Sequence, residues 1–344
     1  MTQLIQEAFR LGPQWKTWDP FLFCAHHDDA YPAGDERMAP KASLAGRQLG
    51  MDFDPSNAWR MYHGHTVPGF PVHPHRGFET ITLARKGYID HSDSLGATAR
   101  FGNGDIQWLT AGAGIQHAEM FPLVHEDSDN HTELFQIWLN LPARSKMAAP
   151  HFQMTWAQNV PKFTSVDSAG RETTATTITG VPLGASADMC VNTPAPPPES
   201  WAANPENHVR IVALKMAPGA TFVIPAGEAG INRALYFFVG NELALNGEVL
   251  PGRVGLKLDP TAALQLENGA LEAELLLMEG RPINEPVAQH GPFVMNYPGE
   301  IRQAMIDYQN TRFGGWPWGS DDPAHDRNRG RFAHFVDGHT EEPA

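Results

Sequence analysis

The chain has 344 residues, 42% of them hydrophobic, a size that accommodates about two domains, each with a buried core. Lys and Arg number 25 against 39 Asp and Glu, which gives a formal net charge of −14. Because this charge repels phosphate, it argues against a protein that wraps nucleic acid or lies on an anionic membrane. Two cysteines, Cys24 and Cys190, are too few for a disulfide framework or a thiolate metal cage, which is typical of a reducing compartment.

The sequence lacks the patterns of a targeted or membrane-inserted chain. Its first thirty residues contain no basic segment followed by an unbroken apolar run, and no later window approaches the length of a transmembrane helix. We therefore expect a soluble, cytoplasmic protein without membrane attachment.

Glycine and proline divide the chain into short apolar runs. Their numbers, 32 and 29, are typical of many strands joined by turns, so an all-β fold is predicted. In the first half, the strand-sized runs are 78–86, 97–101, 105–110 and 134–141. Within the last run, Phe135, Ile137 and Leu139 alternate with Gln136 and Asn140, the period of a strand with one buried face.

The second half repeats this rhythm of strands and turns. Residues 141–153 contain prolines and no clear period, so they are predicted to connect two β units. Further strands are predicted at 209–216, 221–224, 235–239, 254–258 and 274–279, with a hairpin turn at 246–248 and an extended proline-rich loop at 193–200. The pattern indicates two copies of one β architecture.

One amphipathic helix is predicted near the end of the chain. Apolar residues from Ile301 to Tyr308 follow the i, i+3, i+4, i+7 spacing, which indicates a helix over 300–311. The residues beyond Trp318 are polar, and we expect them to form a flexible tail.

The candidate metal-binding residues lie in the first half of the chain, because eleven of the 16 histidines occur at or before His151. His73 and His75 are two residues apart, so both side chains project from the same side of an extended segment. His117 and Glu119 repeat this spacing with an imidazole and a carboxylate. If the two pairs lie on facing strands, three nitrogens and one oxygen can meet at a divalent transition-metal ion.

A second histidine pair leaves the ligand set open at this point. His63 and His65 have the same spacing, and spacing alone does not decide which pair joins His117 and Glu119. The glycine between them is typical of a turn, and no clear strand follows them. A role at the surface or beside the site is therefore the simpler interpretation for this pair.

Longer motifs resemble the signatures of the pirin family within the cupin superfamily. They are WDPFLF at 18–23, FPVHPHRGFET at 70–80, GDIQWLTAGAGIQHAEM at 104–120 and HGPFVMN at 290–296, and the resemblance covers residues 15–312. It implies a bicupin of two antiparallel, jelly-roll-like β-barrels. The implied divisions are an N-terminal barrel with a metal site at 1–145, a C-terminal barrel without metal at 150–296, and a short helix with a flexible tail at 297–344.

The resemblance also implies the metal ligands, which are His73, His75, His117 and Glu119. It thereby favours the HPH pair over the other histidine pair. Glu79 stands where the generic cupin motif has a ligand, whereas pirin-like proteins take their carboxylate from the second motif. Glu79 is therefore predicted to have a structural role or to support the ligands.

The resemblance further implies an iron-dependent enzyme. Three imidazoles and one carboxylate leave up to two positions of an octahedral ion open, which suits Fe(II), with Mn, Co, Ni, Cu or Zn as alternatives. The predicted activity is that of a quercetin 2,3-dioxygenase, which cleaves a flavonol with O2, and Glu119 would also act as the catalytic carboxylate that accepts the substrate proton. Phe70, Phe78, Trp108 and Met120 are candidates for the walls of an aromatic pocket or for the barrel core.

A non-catalytic function uses the same ligands. The resemblance to eukaryotic pirins implies an iron-binding, redox-sensing protein that regulates a protein partner. An enzyme consumes O2 with a flavonol, whereas a sensor changes only its affinity for the partner. For either function, the charge of −14 argues against direct contact with nucleic acid.

Overall fold

The computed structural model describes residues 4–184 and 194–343 and divides the chain into two compact units. One unit contains residues 1–24 and 158–284, and the other contains residues 25–157 and 285–344. Cys190 lies outside the described residues. So does Thr193, which is the first residue of the predicted proline-rich loop. No helix in the described parts of the chain is both long and apolar enough to cross a bilayer.

Both units consist mainly of β-strands, as predicted. Numbered along the chain, the strands are β1 (Ile5–Arg10), β2 (Gln14–Trp15), β3 (Phe21–Tyr31), β4 (Gly69–His75), β5 (Phe78–Lys86), β6 (Tyr88–Asp93), β7 (Thr98–Gly102), β8 (Asp105–Thr110), β9 (Ile115–Met120), β10 (Asn130–Asn140), β11 (His151–Thr155), β12 (Lys162–Val166), β13 (Glu172–Thr179), β14 (Arg210–Met216), β15 (Thr221–Ile224), β16 (Asn232–Val239), β17 (Glu242–Leu245), β18 (Glu248–Pro251), β19 (Val254–Leu258), β20 (Leu264–Asn268), β21 (Ala273–Gly280), β22 (Ala288–His290), β23 (Phe293–Met295), β24 (Phe332–His334) and β25 (Thr340–Glu341). Short 3-10 turns lie at Ala143–Ser145, Ala157–Asn159, Trp201–Ala203, Pro205–Asn207 and Arg312–Gly314. Helix α1 (Pro298–Thr311) confirms the helix predicted over 300–311.

The unit formed by residues 1–24 and 158–284 is a sandwich of two sheets. Its larger sheet has the strand order β1-β19-β16-β21-β14-β13-β12, and its smaller sheet has the order β15-β20-β17-β18. Leu214 and Leu235 of the larger sheet and Phe222 and Leu264 of the smaller sheet belong to one buried core. Two antiparallel sheets on a shared core form the jelly-roll-like arrangement that was expected.

The unit formed by residues 25–157 and 285–344 follows the same plan. One sheet, called here the long-strand sheet, contains β11-β8-β5-β10-β3, and the other, called here the histidine sheet, contains β25-β24-β7-β6-β9-β4. Leu109 and Leu134 of the long-strand sheet share a core with Phe101 and Ile115 of the histidine sheet. In the described residues the two sheets of each unit do not join, so each jelly-roll-like unit is a sandwich of two facing sheets.

The units differ from the predicted domains at 1–145, 150–296 and 297–344. Strand β1 pairs with β19, with Ala8 opposite Leu256, so the start of the chain belongs to the unit that contains residues 158–284. Strand β24 pairs with β7, with Ala333 opposite Ala99, so the end of the chain belongs to the unit that contains residues 25–157. Pairing between distant strands decides both assignments.

The C-terminal tail is bound to the histidine sheet, so the prediction of a flexible tail is wrong. The backbone N–H of Val72 on β4, an edge strand, donates to the Asp321 carbonyl at 2.8 Å. The indole Nε1 of Trp318 donates to the Asp93 carbonyl on β6 at 2.8 Å. Further along, β24 pairs with β7. The tail therefore crosses this sheet from β4 to β7.

Arg100 on β7 connects the tail to the sheet. Its Nε and Nη2 atoms each donate to the Asp90 carboxylate at 2.7 Å. The same guanidinium donates to the backbone carbonyls of His325, Asp326 and Arg329. Arg100 is 1% exposed and Asp90 is fully buried, so water does not screen this ion pair.

Arg100→Met is expected to lower the free energy of unfolding by about 3–5 kcal/mol, because it leaves the Asp90 carboxylate buried without its counter-charge. Urea denaturation measures the loss. Arg329→Met is the matched control, since its ion pair with Glu342 is largely exposed and its loss should cost less than about 1 kcal/mol. Equal losses in the two variants would contradict the role assigned to Arg100.

Candidate functional site

The two sequence pairs lie on neighbouring strands of the histidine sheet. His73 and His75 are on β4, and His117 and Glu119 are on β9. These strands are antiparallel, with His73 directly opposite His117. Because opposite residues share a face, and residues two apart on a strand also share one, the four side chains lie on one face of the sheet.

The three imidazoles form a compact cluster. One ring nitrogen from each of His73, His75 and His117 lies within 4.8 Å of the others. Their ring centroids are 4.4–4.9 Å apart. The three side chains are therefore near enough for one nitrogen of each to approach a single ion.

Glu119 lies beside the cluster, and side chains of the long-strand sheet hydrogen-bond its carboxylate. Its Oε2 lies 3.8 Å from His117 Nε2 and accepts a hydrogen bond from Gln136 Nε2 at 3.0 Å. The Thr82 hydroxyl lies 2.5 Å from Gln136 Oε1 and 3.4 Å from Glu119 Oε1. Because Thr82 and Gln136 are directly opposite on β5 and β10, they orient the carboxylate as one network.

The imidazoles are held in their neutral form. His73 Nδ1 lies 2.8 Å from the Pro71 carbonyl, which can only accept, so Nδ1 carries the proton and Nε2 keeps its lone pair. Burial lowers the pKa of His73 to about 4. Burial also lowers the pKa values of His75 and His117 well below the usual value, and the neighbouring imidazoles lower them further. Neutral imidazole is the form that binds metal.

The cluster contains buried polar atoms that a cation would satisfy. Neither ring nitrogen of His117 has a hydrogen-bond partner within the described parts of the chain, although this side chain is completely buried. Nδ1 of His75 also lacks a partner there. Burial raises the pKa of the Glu119 carboxyl to about 7. A cation would accept the imidazole lone pairs and stabilise the ionised carboxylate, so the residues present fit a divalent metal ion.

Glycines at both ends of the histidine pair let the β4 backbone approach its neighbours closely. Gly69 has φ 130°, and a Cβ atom there would lie 2.4 Å from the Glu119 carbonyl oxygen. Gly77 has φ 85°, and a Cβ atom there would lie 1.9 Å from the Val294 carbonyl oxygen. A side chain at either position would displace the strand that carries the histidines.

Arg76 ties the end of β4 to the C-terminal helix. Its Nε donates to the Ala113 carbonyl at 2.6 Å, and its Nη1 pairs with Asp307 of α1 at 2.7 Å. Its backbone forms a parallel bridge with Phe293. The HGPFVMN motif at 290–296 therefore supports the histidine strand and adds no ligand to the cluster.

Glu79 and the other histidine pair do not belong to the imidazole cluster. Glu79 accepts a hydrogen bond from Thr110 Oγ1 at 2.7 Å, on the face of β5 that points away from the histidine sheet. His63 is exposed, and its Nδ1 lies 2.6 Å from the Gly50 carbonyl. His65 is exposed as well. The positions of Glu79 and of this histidine pair agree with the structural and surface roles predicted for these residues.

Two of the four candidate wall residues lie beside the cluster. The rings of Phe78 and Phe70 have centroids 5.0 Å and 6.4 Å from an imidazole of the cluster. Trp108 and Met120 are buried and alternate with residues that face the cluster, so they point the other way. They therefore have the alternative role given above, as core residues.

Four further residues around the cluster carry no motif that would mark them in the sequence. His91 lies directly opposite Glu119 on β6, and its ring centroid is 5.6 Å from that of His117. The Trp138 ring on β10 is 5.5 Å from that of His75. The other two residues are the pair that orients the carboxylate, Thr82 and Gln136. Strand alternation could have marked these side chains as inward-facing, but nothing in the sequence connects their strands to β9.

A second group of potential donor atoms consists of Asp28, His131 and Glu133. Asp28 and His131 are exposed, and they already bond each other. Glu133 is buried and pairs with Arg85 and, at 2.8 Å, with Lys86. Because two cations already neutralise Glu133, we assign no metal to this group.

Family models and known proteins match most of the chain. Residues 3–139 match the family described as Pirin, and residues 211–314 match the family described as the Pirin C-terminal cupin domain. Human Pirin is 34% identical over 281 residues, which cover 78% of this chain and 86% of that protein. A Pseudomonas aeruginosa protein, provisionally named a quercetin 2,3-dioxygenase, is 32% identical over 248 residues, which cover 71% of this chain and 79% of that protein.

A solved structure has a similar fold. The crystal structure of a quercetin 2,3-dioxygenase from Acinetobacter baumannii aligns with a TM-score of 0.66 and 25% sequence identity. The alignment covers 91% of this chain and 98% of that chain. The similarity therefore extends over nearly the whole of both proteins.

Glu133→Gln is expected to lower the free energy of unfolding at pH 7. It should also make the free energy of unfolding depend less on pH. Burial alone would raise the Glu133 pKa, but His26, Arg85 and Lys86 together lower it from 4.5 to about 2. The ionised form therefore contributes about 3 kcal/mol above pH 4.5, and this contribution is lost as the pH falls from 4.5 towards 2. Urea denaturation of both proteins between pH 2 and pH 7 measures it. A stability difference that stays constant over this range would contradict the assignment.

Proposed function

The chain belongs to the pirin family, and from that premise we propose that it is a metal-dependent dioxygenase of the quercetin 2,3-dioxygenase type. The observation that carries the proposal is the cluster of three neutral imidazoles beside a carboxylate, in which His75 and His117 are buried and the nitrogens of His117 have no partner among the described residues. The similarity to two proteins named for this activity supports the choice of reaction.

In this proposal, His73, His75, His117 and Glu119 hold the metal. Fe(II) is the expected ion, with Mn, Co, Ni, Cu and Zn as alternatives, because three nitrogens and one oxygen can leave open positions on an octahedral ion. The chemistry that a bound ion would supply is the joint binding of a deprotonated flavonol and O2 and the transfer of electrons between them. In the overall reaction, the flavonol heterocycle opens, both oxygen atoms enter the products and carbon monoxide leaves.

The chain itself would orient the carboxylate, accept the substrate proton and form an apolar wall beside the substrate. Thr82 and Gln136 fix the Glu119 carboxylate, which is the group of the cluster best suited to accept the proton of the flavonol 3-hydroxyl. Phe78 and Trp138 flank the His75 ring, and their own centroids are 4.3 Å apart with the ring planes tilted by 35°. Their rings would form an apolar wall beside an aromatic substrate and exclude water from it.

His73→Ala is expected to lower the amount of bound metal by more than about tenfold, because it removes one of three converging nitrogens. Elemental analysis after anaerobic reconstitution with Fe(II) measures the metal. His65→Ala is the matched control, since that imidazole is exposed and outside the cluster, and it should bind metal like the wild type. Unchanged metal content in the His73 variant would place the ion elsewhere.

Glu119→Gln is expected to lower O2 consumption with quercetin by about a hundredfold or more, because the amide keeps the shape of the side chain but accepts no proton. An oxygen electrode follows the reaction, and elemental analysis shows how much metal the variant retains. If the metal-loaded wild type consumes no O2 with quercetin, the enzymatic proposal fails. The alternative of an iron-dependent, redox-sensing regulator of a protein partner would then be favoured.

A further inference from the structure

The inner face of the long-strand sheet carries buried polar side chains without partners. Thr80 on β5 is 1% exposed and Gln107 on β8 is fully buried. Among the residues that the structure describes, the Thr80 hydroxyl and both polar atoms of the Gln107 amide have no hydrogen-bond partner. The network of Thr82, Gln136 and Glu119 does not include them.

Strand register places these two side chains on the face that looks towards the imidazole cluster. Thr82 contacts Glu119, which identifies the inward face of β5, and Thr80 shares that face because it lies two residues away. Gln107 is directly opposite Thr82 on the paired strand. The residue opposite Thr80 on β10 is Trp138, whose ring contacts His75.

Such unpaired atoms reduce the stability of the protein. A buried polar group without a partner has lost its hydrogen bonds to water and gained none in return, whereas valine and leucine would fill the same space without that loss. The neighbouring polar pair on the opposite face of β5, Glu79 with Thr110, is hydrogen-bonded. The unpaired atoms of Thr80 and Gln107 thus lie on the side of the long-strand sheet that a ligand of the cluster would face, whereas Nε1 of Trp108, likewise unpaired among the described residues, lies on the other side.

We propose that Thr80 and Gln107 form a polar subsite that recognises a second oxygen of a ligand bound at the imidazole cluster. The ligand class is a polyhydroxylated aromatic compound, which binds the metal through one oxygen and presents a ring hydroxyl to the subsite. This inference rests on the proposed function. A hydroxyl group both donates and accepts, and it therefore complements the amide of Gln107 and the hydroxyl of Thr80, whereas hydrogen at that ring position satisfies neither.

Two flavonols with the same chelating group test the subsite. Quercetin carries additional ring hydroxyls, and 3-hydroxyflavone lacks them. Their dissociation constants are measured by absorbance under nitrogen, with metal-loaded wild type, Thr80→Val and Gln107→Leu. We expect each substitution to weaken quercetin binding by about tenfold or more, from the loss of hydrogen bonds to a buried oxygen, and to leave 3-hydroxyflavone binding within about twofold.

Melting temperatures without flavonol separate this role from a structural one. Thr80→Val and Gln107→Leu should melt at or above the wild-type temperature, because they remove unsatisfied polar atoms. Thr110→Val is the matched control on the opposite face: it should melt lower, since it breaks the bond to Glu79, and it should keep the wild-type preference for quercetin.

The outcomes distinguish this subsite from the proposed reaction. The subsite would be overturned if the variants bound both flavonols more weakly by the same factor. It would also be overturned if the wild type bound the two compounds with equal affinity. Selective weakening of quercetin supports it even if no O2 is consumed, in which case only the proposed reaction fails. If metal-loaded wild type binds neither flavonol, both proposals are overturned.

Discussion

The register between β4 and β9 is the constraint on which the candidate site depends. His73 lies directly opposite His117, and this pairing brings the imidazoles to one side of the sheet. Since strand side chains alternate between faces, a slip of one residue would move the HPH pair to the other face and separate it from Glu119. Gly69 permits the close approach to β9, and the bond from Val72 to the tail covers the outer edge of β4. Both features favour the observed register.

The two faces of strand β5 differ in how their polar side chains are hydrogen-bonded. Glu79 on one face is satisfied by Thr110, so it contributes to a rigid sheet. On the other face, Thr82 joins the network that orients Glu119, and Thr80 has no partner among the described residues. Groups that reduce stability without an evident local gain concentrate at functional sites. The alternation of the strand thus places a satisfied polar pair and an unpaired hydroxyl on opposite faces within nine residues.

Local patterns in the sequence predicted the strands and the helix. They could not predict how distant strands pair, and this pairing brings the site residues together. The runs at 78–86 and 105–110 coincide with β5 and β8, because alternation and flanking turns are local signals. The spacing of the HPH and HAE motifs showed that each pair shares a face, and the register of β4 with β9 then brings them together. His91 could not be selected, since only the pairing of β6 with β9 puts it opposite Glu119. The assignment of these residues as metal ligands stays a prediction.

The tail was predicted incorrectly because few of its residues are apolar, although Ala333 and Phe335 pack on the core, and backbone groups make much of its attachment. Arg100 binds tail carbonyls, which every sequence possesses, and β24 pairs through its backbone. The family match ends at residue 314, before these contacts begin. A protein shortened to that match would leave β7 and β4 as open sheet edges, and open edges pair with strands of other molecules. Self-association into oligomers or aggregates is therefore the defect to expect from such shortened forms, even where the fold of the unit persists.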